Sequence, residues 1–183
     1  MTSRRNDRAS RGFTLIELMV VAVLVAIILA LAVPSFKNTL ALKRMEGVAS
    51  ELATDIQYAR SEAALRNAAV RIIVGANCYA VHVVGSTAAT DCTTLGTNAV
   101  SLKTVQVADG TSLAFASNNA RAFLEFDPVR GMAIDSADAD SSGNVTVTNS
   151  AGNWQIQARV SKQGRVKLCS PNNTVTGLAT DCT

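Results

Sequence analysis

The sequence of 183 residues is poor in histidine and lacks the common catalytic motifs. It contains one histidine, His82, and one tryptophan, and it has no GxSxG, HExxH or P-loop sequence. A nucleophile–histidine pair would have to use His82, which lies in an apolar alternating stretch and is expected to be structural. We therefore expect a protein that is not an enzyme and that binds no metal and no cofactor.

An excess of charge is also lacking outside the N-terminal end. The chain has 17 basic and 14 acidic side chains, but Arg4, Arg5, Arg8 and Arg11 stand against a single acid within residues 1–12. The remaining residues therefore carry 13 side chains of each sign. Bulk charge indicates no particular partner for them, whereas the basic segment favours a cytoplasmic position for the N-terminus.

A long apolar run follows this basic segment. Between Phe13 and Val33, Thr14 and Glu17 alone are not apolar. Wound as an α-helix, these 21 residues span about 31 Å, which matches the roughly 30 Å hydrocarbon core of a bilayer. Residues 13–33 are therefore predicted to form a single transmembrane helix. A carboxylate inside such a helix costs free energy unless it is paired, so Glu17 is expected to have a partner.

The residues at this junction resemble those of a known family. Gly12-Phe13-Thr14-Leu15-Ile16-Glu17, between a basic leader and a long apolar run, resembles the class III signal of type IV pilins and type II secretion pseudopilins. This resemblance implies that prepilin peptidase removes residues 1–12 as a leader peptide by cutting between Gly12 and Phe13. It further implies that the Phe13 amine is methylated and that Glu17 docks the helix against other pilins in a filament.

The same resemblance implies a location in two stages. The protein first lies in the inner membrane as a single-pass protein, with its C-terminal domain in the periplasm. It then enters an extracellular pilus or a periplasmic pseudopilus. One helix's Glu17 carboxylate would neutralise the amine that cleavage creates on Phe13 of a neighbouring helix.

Two simpler interpretations explain less of this region. An ordinary secretory signal has an apolar stretch of about 7–15 residues followed by a small-residue cleavage site. Ala30-Leu31-Ala32 could imitate that site, but the run here is longer and contains an acid. A plain single-span anchor explains the length but neither Glu17 nor the glycine before Phe13.

Helical periodicity continues beyond the apolar run. Pro34 lacks a backbone donor and is predicted to kink or loosen the helix, after which residues 34–68 form its amphipathic continuation. The helix is expected to end near Arg66, before Asn67. Acidic and basic residues such as Asp55 lie mostly off the apolar stripe. The stripe consists of Met45, Val48, Leu52, Ile56, Ala59 and Ala63.

From residue 69 the pattern changes to short strand-like runs separated by turn residues, so residues 69–183 are predicted to form a β-rich periplasmic domain. The fold class is therefore α+β. A long N-terminal α-helix, with a transmembrane half and an amphipathic half, packs on a C-terminal antiparallel β-sheet or β-sandwich domain. The predicted strands are Val70–Val74, Tyr79–Val84, Ser101–Val107, Ser112–Ala116, Ala122–Phe126, Gly131–Ile134, Val145–Thr148, Trp154–Val160 and Arg165–Cys169.

The four cysteines fall into two close pairs, Cys78 with Cys92 and Cys169 with Cys182. In an exported domain an even number of cysteines indicates disulfides. Of the three possible connectivities these pairs close the shortest loops, each stabilising the fold by about 3 kcal/mol. The sequence has neither a CxxC spacing nor a histidine cluster, the patterns that would indicate a metal site.

The rest of the chain carries a narrower resemblance. A helix that ends in Tyr58-Ala59-Arg60-Ser61-Glu62-Ala63 and is followed by many strands is similar to the minor subunits grouped as FimT/GspH. The implied function is a minor pilin for the assembly or the tip of a type IV pilus. The alternative that stays open is an H-type minor pseudopilin of a type II secretion system.

A basic C-terminal motif indicates DNA as a further partner. Gly164-Arg165-Val166-Lys167 resembles the GRxR element of DNA-binding FimT minor pilins, with lysine in place of the second arginine. On a strand, Arg165 and Lys167 share one face about 6.6 Å apart, a spacing that suits successive phosphates. Together with Arg159 and Lys162 they form the candidate DNA-binding residues. The simpler interpretation of this cluster is a solvated strand face.

One acidic segment has a weak likeness to a calcium site. Asp138-Ala139-Asp140-Ser141-Ser142-Gly143 begins like an EF-hand loop. The twelfth position, however, is Asn149 instead of the bidentate glutamate that such loops need. An acidic surface turn is therefore the expected structure.

Overall fold

The computed structural model describes residues 12–87, 89–107, 110–115, 123–134, 143–149 and 153–182. Within these residues one long helix precedes nine strands, as the sequence predicts, and the α+β class is confirmed. At the majority of strand ends the observed bound differs from the predicted one by one or two residues. The elements are α1 (Leu15–Arg66), β1 (Val70–Val74), β2 (Cys78–Val83), β3 (Val100–Gln106), β4 (Thr111–Phe115), β5 (Phe123–Phe126), β6 (Ala133–Ile134), β7 (Gly143–Asn149), β8 (Trp154–Val160) and β9 (Val166–Cys169).

Both ends of α1 have identifiable causes. Thr14 is the N-cap, since its Oγ1 accepts a hydrogen bond from the backbone N–H of Glu17 at 3.3 Å. At the other end Asn67 adopts a left-handed conformation with φ of 50°, which asparagine tolerates better than most residues. The N–H of Ala68 then donates to the carbonyl of Ala63 at 3.2 Å and satisfies one of the last helical carbonyls.

The chain divides into two compact units, residues 1–38 and 39–183, and each is described by itself. In the first unit the large apolar side chains from Phe13 to Leu31 are exposed, from 47% for Val25 to 84% for Phe13. Nothing within the described part of this unit covers them, so they are available to lipid or to other helices.

The length and composition of α1 bear on a membrane span. Within the described residues no single straight helix is long and apolar enough to cross a bilayer. A bent pair of helical segments is long enough and apolar enough when the two are taken together. The segments are Leu15–Leu31 and Phe36–Arg66. The break between these segments contains Pro34, where the sequence predicts a kink.

In the second unit the strands form two antiparallel sheets, ordered β3-β2-β1-β5-β6 and β4-β7-β8-β9. Several neighbours are far apart in the sequence, because β1 pairs with β5 and β4 pairs with β7. Backbone hydrogen bonds also join the sheets. The N–H of Ala133 donates to the carbonyl of Lys162 at 3.0 Å, and the N–H of Leu113 donates to the carbonyl of Ala76 at 2.9 Å.

One stripe of α1 holds the helix in this unit. The stripe predicted from the sequence is confirmed, with Val48 only partly buried and Ala49 as a further buried member. Residues of both sheets pack in the same cluster as the stripe, so helix and sheets share one apolar core. The main participants from the sheets are Val70, Ile72, Phe126, Val145, Val147 and Ile156.

Asp55 differs from the sequence prediction that placed it mostly off the buried stripe. Its side chain is buried, with 5% of the residue exposed, beside the stripe residue Ile56. The hydroxyl of Tyr79 donates to Asp55 Oδ2 at 2.6 Å, and Lys103 Nζ lies 2.7 Å from the same oxygen and 2.9 Å from Glu51 Oε1. A buried carboxylate is tolerated here because a cation and a hydroxyl compensate it.

Both disulfides expected from the cysteine spacing are present, Cys78 with Cys92 and Cys169 with Cys182. The first holds the loop after β2 against one side of the five-stranded sheet, where Cys92 is buried with Ile73 and Ala80. The second closes the C-terminal segment onto β9.

The segment with a weak likeness to a calcium loop lies almost wholly outside the described residues. Of Asp138–Gly143, Gly143 alone is described, and it begins β7. Asn149, the twelfth position of that loop, ends the same strand.

We predict that Tyr79→Phe lowers the free energy of unfolding by about 1.5–3 kcal/mol, because the buried Asp55 carboxylate loses its hydroxyl donor. Burial, and then the hydrogen bond to Asp55 and its negative charge, hold the pKa of Tyr79 above its usual value, so the phenol remains a donor at high pH. The measurement is denaturant unfolding of the full chain in detergent. The matched control is Tyr58→Phe, on the exposed side of α1. Equal unfolding free energies for the two variants would contradict the prediction.

Candidate functional site

The predicted processing and assembly residues lie at the start of α1. Gly12 and Phe13 precede the helix and are exposed, and Glu17 occupies its first turn. Thr14 and Glu17 have the spacing of a capping box, but of the two reciprocal hydrogen bonds only that from the Glu17 N–H to Thr14 is formed among the described residues. The carboxylate of Glu17 forms no ion pair with any described residue. Its side chain is exposed in the first turn, where the helix dipole stabilises a negative charge.

Two of the four candidate DNA-binding residues share one face of the β8–β9 hairpin, and a third adjoins them. Arg159 on β8 and Lys167 on β9 are direct cross-strand partners. Arg165 lies just before β9 and is exposed. The opposite side of β8 carries the buried residues Ala158 and Val160. The alternation thus puts Arg159 and Lys167 on the outer side of the four-stranded sheet, with Arg165 in the adjoining turn.

The fourth candidate, Lys162, lies on the connecting turn and is exposed. The N–H of Gly164 donates to the carbonyl of Ser161 at 2.8 Å, and the N–H of Ser161 donates to the carbonyl of Arg165 at 2.9 Å. These bonds close a tight turn, so Arg165 belongs to the turn and β9 begins at Val166. This corrects the predicted strand start at Arg165.

Lys167 is tied to the C-terminal segment. Its Nζ donates to the carbonyl oxygen of Asp181 at 3.1 Å. The neighbouring disulfide between Cys169 and Cys182 holds that segment against β9. The C-terminal segment therefore helps to hold the Lys167 side chain in place.

The helix also holds the turn that carries this motif. Gln57 Nε2 donates to the carbonyl of Gly164 at 3.1 Å. Gly164 itself has φ of +73°, in the left-handed region where a side chain is strained. A Cβ there would lie 2.9 Å from Cδ of Arg60, so the glycine of the motif is required by both conformation and contact.

Comparison with known proteins places this arrangement in a family. The family profile described as "Type II transport protein GspH" matches residues 48–164, which is more than half of the chain. The chain belongs to the GspH family. The profile described as "Prokaryotic N-terminal methylation motif" matches residues 7–33 of the same chain. The FimT/GspH resemblance seen in the sequence is thereby confirmed, and this is a minor pilin or pseudopilin of GspH type.

Two solved structures have the same fold as this GspH-family chain. The type IV minor pilin FimU of Pseudomonas aeruginosa is 18% identical with a TM-score of 0.52, over 73% of this chain and 96% of FimU. The minor pseudopilin EpsH from the Type 2 Secretion System of Vibrio cholerae is 10% identical with a TM-score of 0.50, over 71% of this chain and 99% of EpsH. No curated protein sequence matches the chain.

Two residues that matter at the hairpin were not singled out from the sequence of this GspH-family protein. Gln57 and Arg60 stand one turn apart on α1. Gln57 donates to the backbone carbonyl of Gly164 in the hairpin turn, and Arg60 donates to that of Gly131 in the turn between β5 and β6. Their spacing of three residues on a polar face was the one available signal. It could not be read as a contact, because Gly164 lies 107 residues after Gln57 and Gly131 lies 71 residues after Arg60.

His82 is buried in β2, with 1% of the residue exposed, and its Nδ1 has no partner among the described residues. Burial, and then the charge of Arg71, lower the pKa of His82 from 6.5 to about 4. Arg71 in turn donates to Glu125 Oε2 at 2.6 Å and lies 3.8 Å from the ring centre of Phe123. This environment agrees with the structural role expected for His82.

One group within the described residues has the ligand types of a metal site. One atom each of Cys78, Asp91 and Cys92 lies within 4.8 Å of the others. Both cysteines belong to the first disulfide, so their sulfurs are not the thiolates that bind zinc. Asp91 Oδ1 instead accepts the N–H of Cys92 at 2.7 Å.

We predict that His82 stays neutral in the folded protein down to about pH 4. Because the unfolded histidine gains a proton near pH 6.5 and the buried one does not, this residue lowers folding stability as pH falls from 6.5 to about 4. Proton NMR of the full chain in detergent follows the only imidazole in the sequence. The same titration in denaturant is the control and should give a midpoint near 6.5. A folded-state midpoint also near 6.5 would contradict the prediction.

Proposed function

We propose that this GspH-family protein is a minor pilin of a type IV pilus, a structural subunit for the assembly or the tip of the fibre. The observation that carries the proposal is the combination of exposed apolar side chains from Phe13 to Leu31 with one acid, Glu17, in the first helical turn. The outer half of the same helix is fixed in a folded domain by its buried stripe. Such a subunit can be anchored and stacked through one element.

Processing prepares this helix for stacking. Prepilin peptidase removes residues 1–12 between Gly12 and Phe13, and the new Phe13 amine is then methylated. Before assembly, residues 13–33 cross the inner membrane, with the basic leader inside and residues 69–183 in the periplasm. The match to the methylation motif over residues 7–33 supports this sequence of events.

Glu17 gives the stacked helices their specific contact. In a cylinder of apolar helices an unpaired carboxylate costs about 2.5–3.5 kcal/mol, and a cationic Phe13 amine from a neighbour removes that cost. Glu17 lies four residues beyond Phe13, a rise of about 6 Å along the axis. The pairing therefore favours neighbours that are displaced along the fibre axis.

We predict that Glu17→Ala reduces incorporation of the protein into sheared fibres by about tenfold or more, with unchanged amounts in the membrane. Quantitative immunoblots of the fibre and membrane fractions give this ratio. The matched control is Thr14→Ala, which removes the N-cap hydroxyl but keeps the carboxylate. Equal losses for the two variants would show that Glu17 acts only by starting the helix.

The second candidate is an H-type minor pseudopilin of a type II secretion system. Its support is the fold shared with EpsH. The pilus is favoured by the basic, disulfide-braced C-terminal hairpin, which resembles that of FimT subunits. Deletion of the gene separates the two functions, because loss of surface fibres supports the pilus, whereas loss of exoprotein secretion with intact fibres supports the secretion system.

We further propose that the hairpin binds DNA for uptake, weakly and without sequence preference. Arg159 and Lys167 are cross-strand partners on the outer side of the four-stranded sheet, and Arg165 is exposed in the adjoining turn, so the three can contact a phosphate backbone together. Their charges are not cancelled by an ion pair with any described residue. Contacts to phosphate are electrostatic, so the affinity should fall steeply with salt.

We predict that Arg165→Ala combined with Lys167→Ala weakens binding of a labelled DNA duplex several-fold at low salt. The slope of log affinity against log salt should fall by about 1.8, since two phosphate contacts are lost. Fluorescence anisotropy with the full chain in detergent measures both quantities. The matched control replaces two exposed helix cations, Lys37 and Arg44, by alanine. Equal effects of the two double variants would show that the position of the cations on the hairpin does not matter, and would contradict the proposed site.

A further inference from the structure

A second turn of the domain lies directly against the turn that carries the basic motif. It connects β5 to β6 and contains Gly131, whose carbonyl accepts a hydrogen bond from Arg60 Nε at 2.8 Å. The motif turn is held by Gln57 of the same helix, which donates to the carbonyl of Gly164. Two neighbouring residues on one face of α1 thus anchor two turns that belong to different sheets.

The two turns are also packed against each other. Gly131 and Gly164 both have positive φ, 58° and 73°. A Cβ on Gly164 would lie 3.2 Å from the carbonyl oxygen of Gly131 and 3.0 Å from Arg60 Nε. The backbone bond from Ala133 to Lys162 joins the same two segments. The two turns and Arg60 are therefore packed together.

Each turn presents an exposed arginine next to its glycine. Arg130 precedes Gly131, and Arg165 follows Gly164. Neither arginine forms an ion pair with a described residue. The Gly131 turn therefore adds a cation to the surface already formed by the hairpin.

One acid lies in the same turn and has to be counted. Asp127 Oδ1 accepts the N–H groups of Val129 at 2.6 Å and Arg130 at 3.0 Å. These N–H groups, that of Arg130 first, and then the charge of Arg130 hold the pKa of Asp127 below its usual value. Asp127 is thus a fixed anion that shapes the turn, and its charge is turned toward the backbone donors. Arg60, Arg130 and Arg165 leave a positive balance around it.

We infer that Arg130 is a further DNA-binding residue. Arg60 is the positioning residue that holds the Gly131 turn, and with it Arg130, beside the hairpin. The inference rests on the proposed DNA binding by Arg159, Arg165 and Lys167. The ligand of the extended surface is the phosphate backbone of duplex DNA. Within the described part of the Gly131 turn the exposed side chains beside Arg130 are Val129 and Met132, with no aromatic ring to stack on unpaired bases.

The first test measures what Arg130 contributes. With the full chain in detergent and a labelled duplex, Arg130→Ala should weaken binding several-fold and lower the salt slope by about 0.9, the value for one phosphate contact. The matched control is Arg44→Ala, an exposed arginine on α1 outside the two turns. Single-stranded DNA of the same length should bind no more tightly than the duplex. Tighter binding of the single strand, or equal effects of the two alanine variants, overturns the inference.

The second test measures whether Arg60 acts through Arg130. Arg60→Lys keeps the charge but removes the Nε donor to Gly131, so it should weaken DNA binding in the wild-type background. In the Arg130→Ala background the Arg60→Lys substitution should have no further effect, because the arginine side chain that Arg60 positions is absent. Additive losses in the two backgrounds overturn the positioning role. Thermal unfolding of each variant shows whether the domain remains folded.

The outcomes separate this inference from the proposed function. If Arg130→Ala matches wild type while Arg165→Ala with Lys167→Ala weakens binding, the proposed role of Arg130 is wrong and DNA binding by the hairpin stands. If all variants match wild type, both fail. If anionic lipid vesicles bind through Arg130 and duplex DNA does not compete with them, the surface serves a membrane and the inference is overturned.

Discussion

The buried stripe of α1 from Met45 to Ala63 is the constraint on which the rest of the domain depends. It packs against both sheets in one apolar core, so the helix fixes the position of each sheet relative to the other. The faces of the helix beside the stripe then acquire defined partners. Asp55 meets Tyr79 and Lys103, while Gln57 and Arg60 meet the backbones of two turns. Helix periodicity thus determines the geometry of the basic surface.

The same helix has a different chemistry over its first part. Up to Leu31 its large apolar side chains are exposed, and Glu17 is the single acid among them. Exposed apolar surface of this extent marks an interaction with lipid or with other protein. In the proposed function the apolar part of the helix anchors the subunit, and the striped part holds its domain. This division is what a subunit of a helical fibre needs.

Much of this organisation could be predicted from the sequence, because it depends on local patterns. The period of the helix identified the stripe, the change to alternation identified nine strands, and close cysteine spacing identified both bonded pairs. The bounds were less accurate where turn chemistry decides them. Arg165 belongs to a turn instead of β9, since the N–H of Ser161 binds its carbonyl.

The features that could not be predicted depend on contacts between distant segments. The pairing of β4 with β7, and hence the division into two sheets, follows from packing on the helix and has no local signal. The burial of Asp55 depends on Tyr79 and Lys103, which arrive from two different strands. Arg60 likewise became part of the candidate site only when the fold brought Gly131 and Gly164 beside it.

The central claim is that the apolar helix is trimmed at its inner end and then covered by neighbouring subunits. The most direct measurement is the intact mass of the protein recovered from purified fibres. A polypeptide that begins at Phe13 and carries one methyl group on its amine is the predicted result. A fibre-bound protein that retains residues 1–12 would contradict the claim.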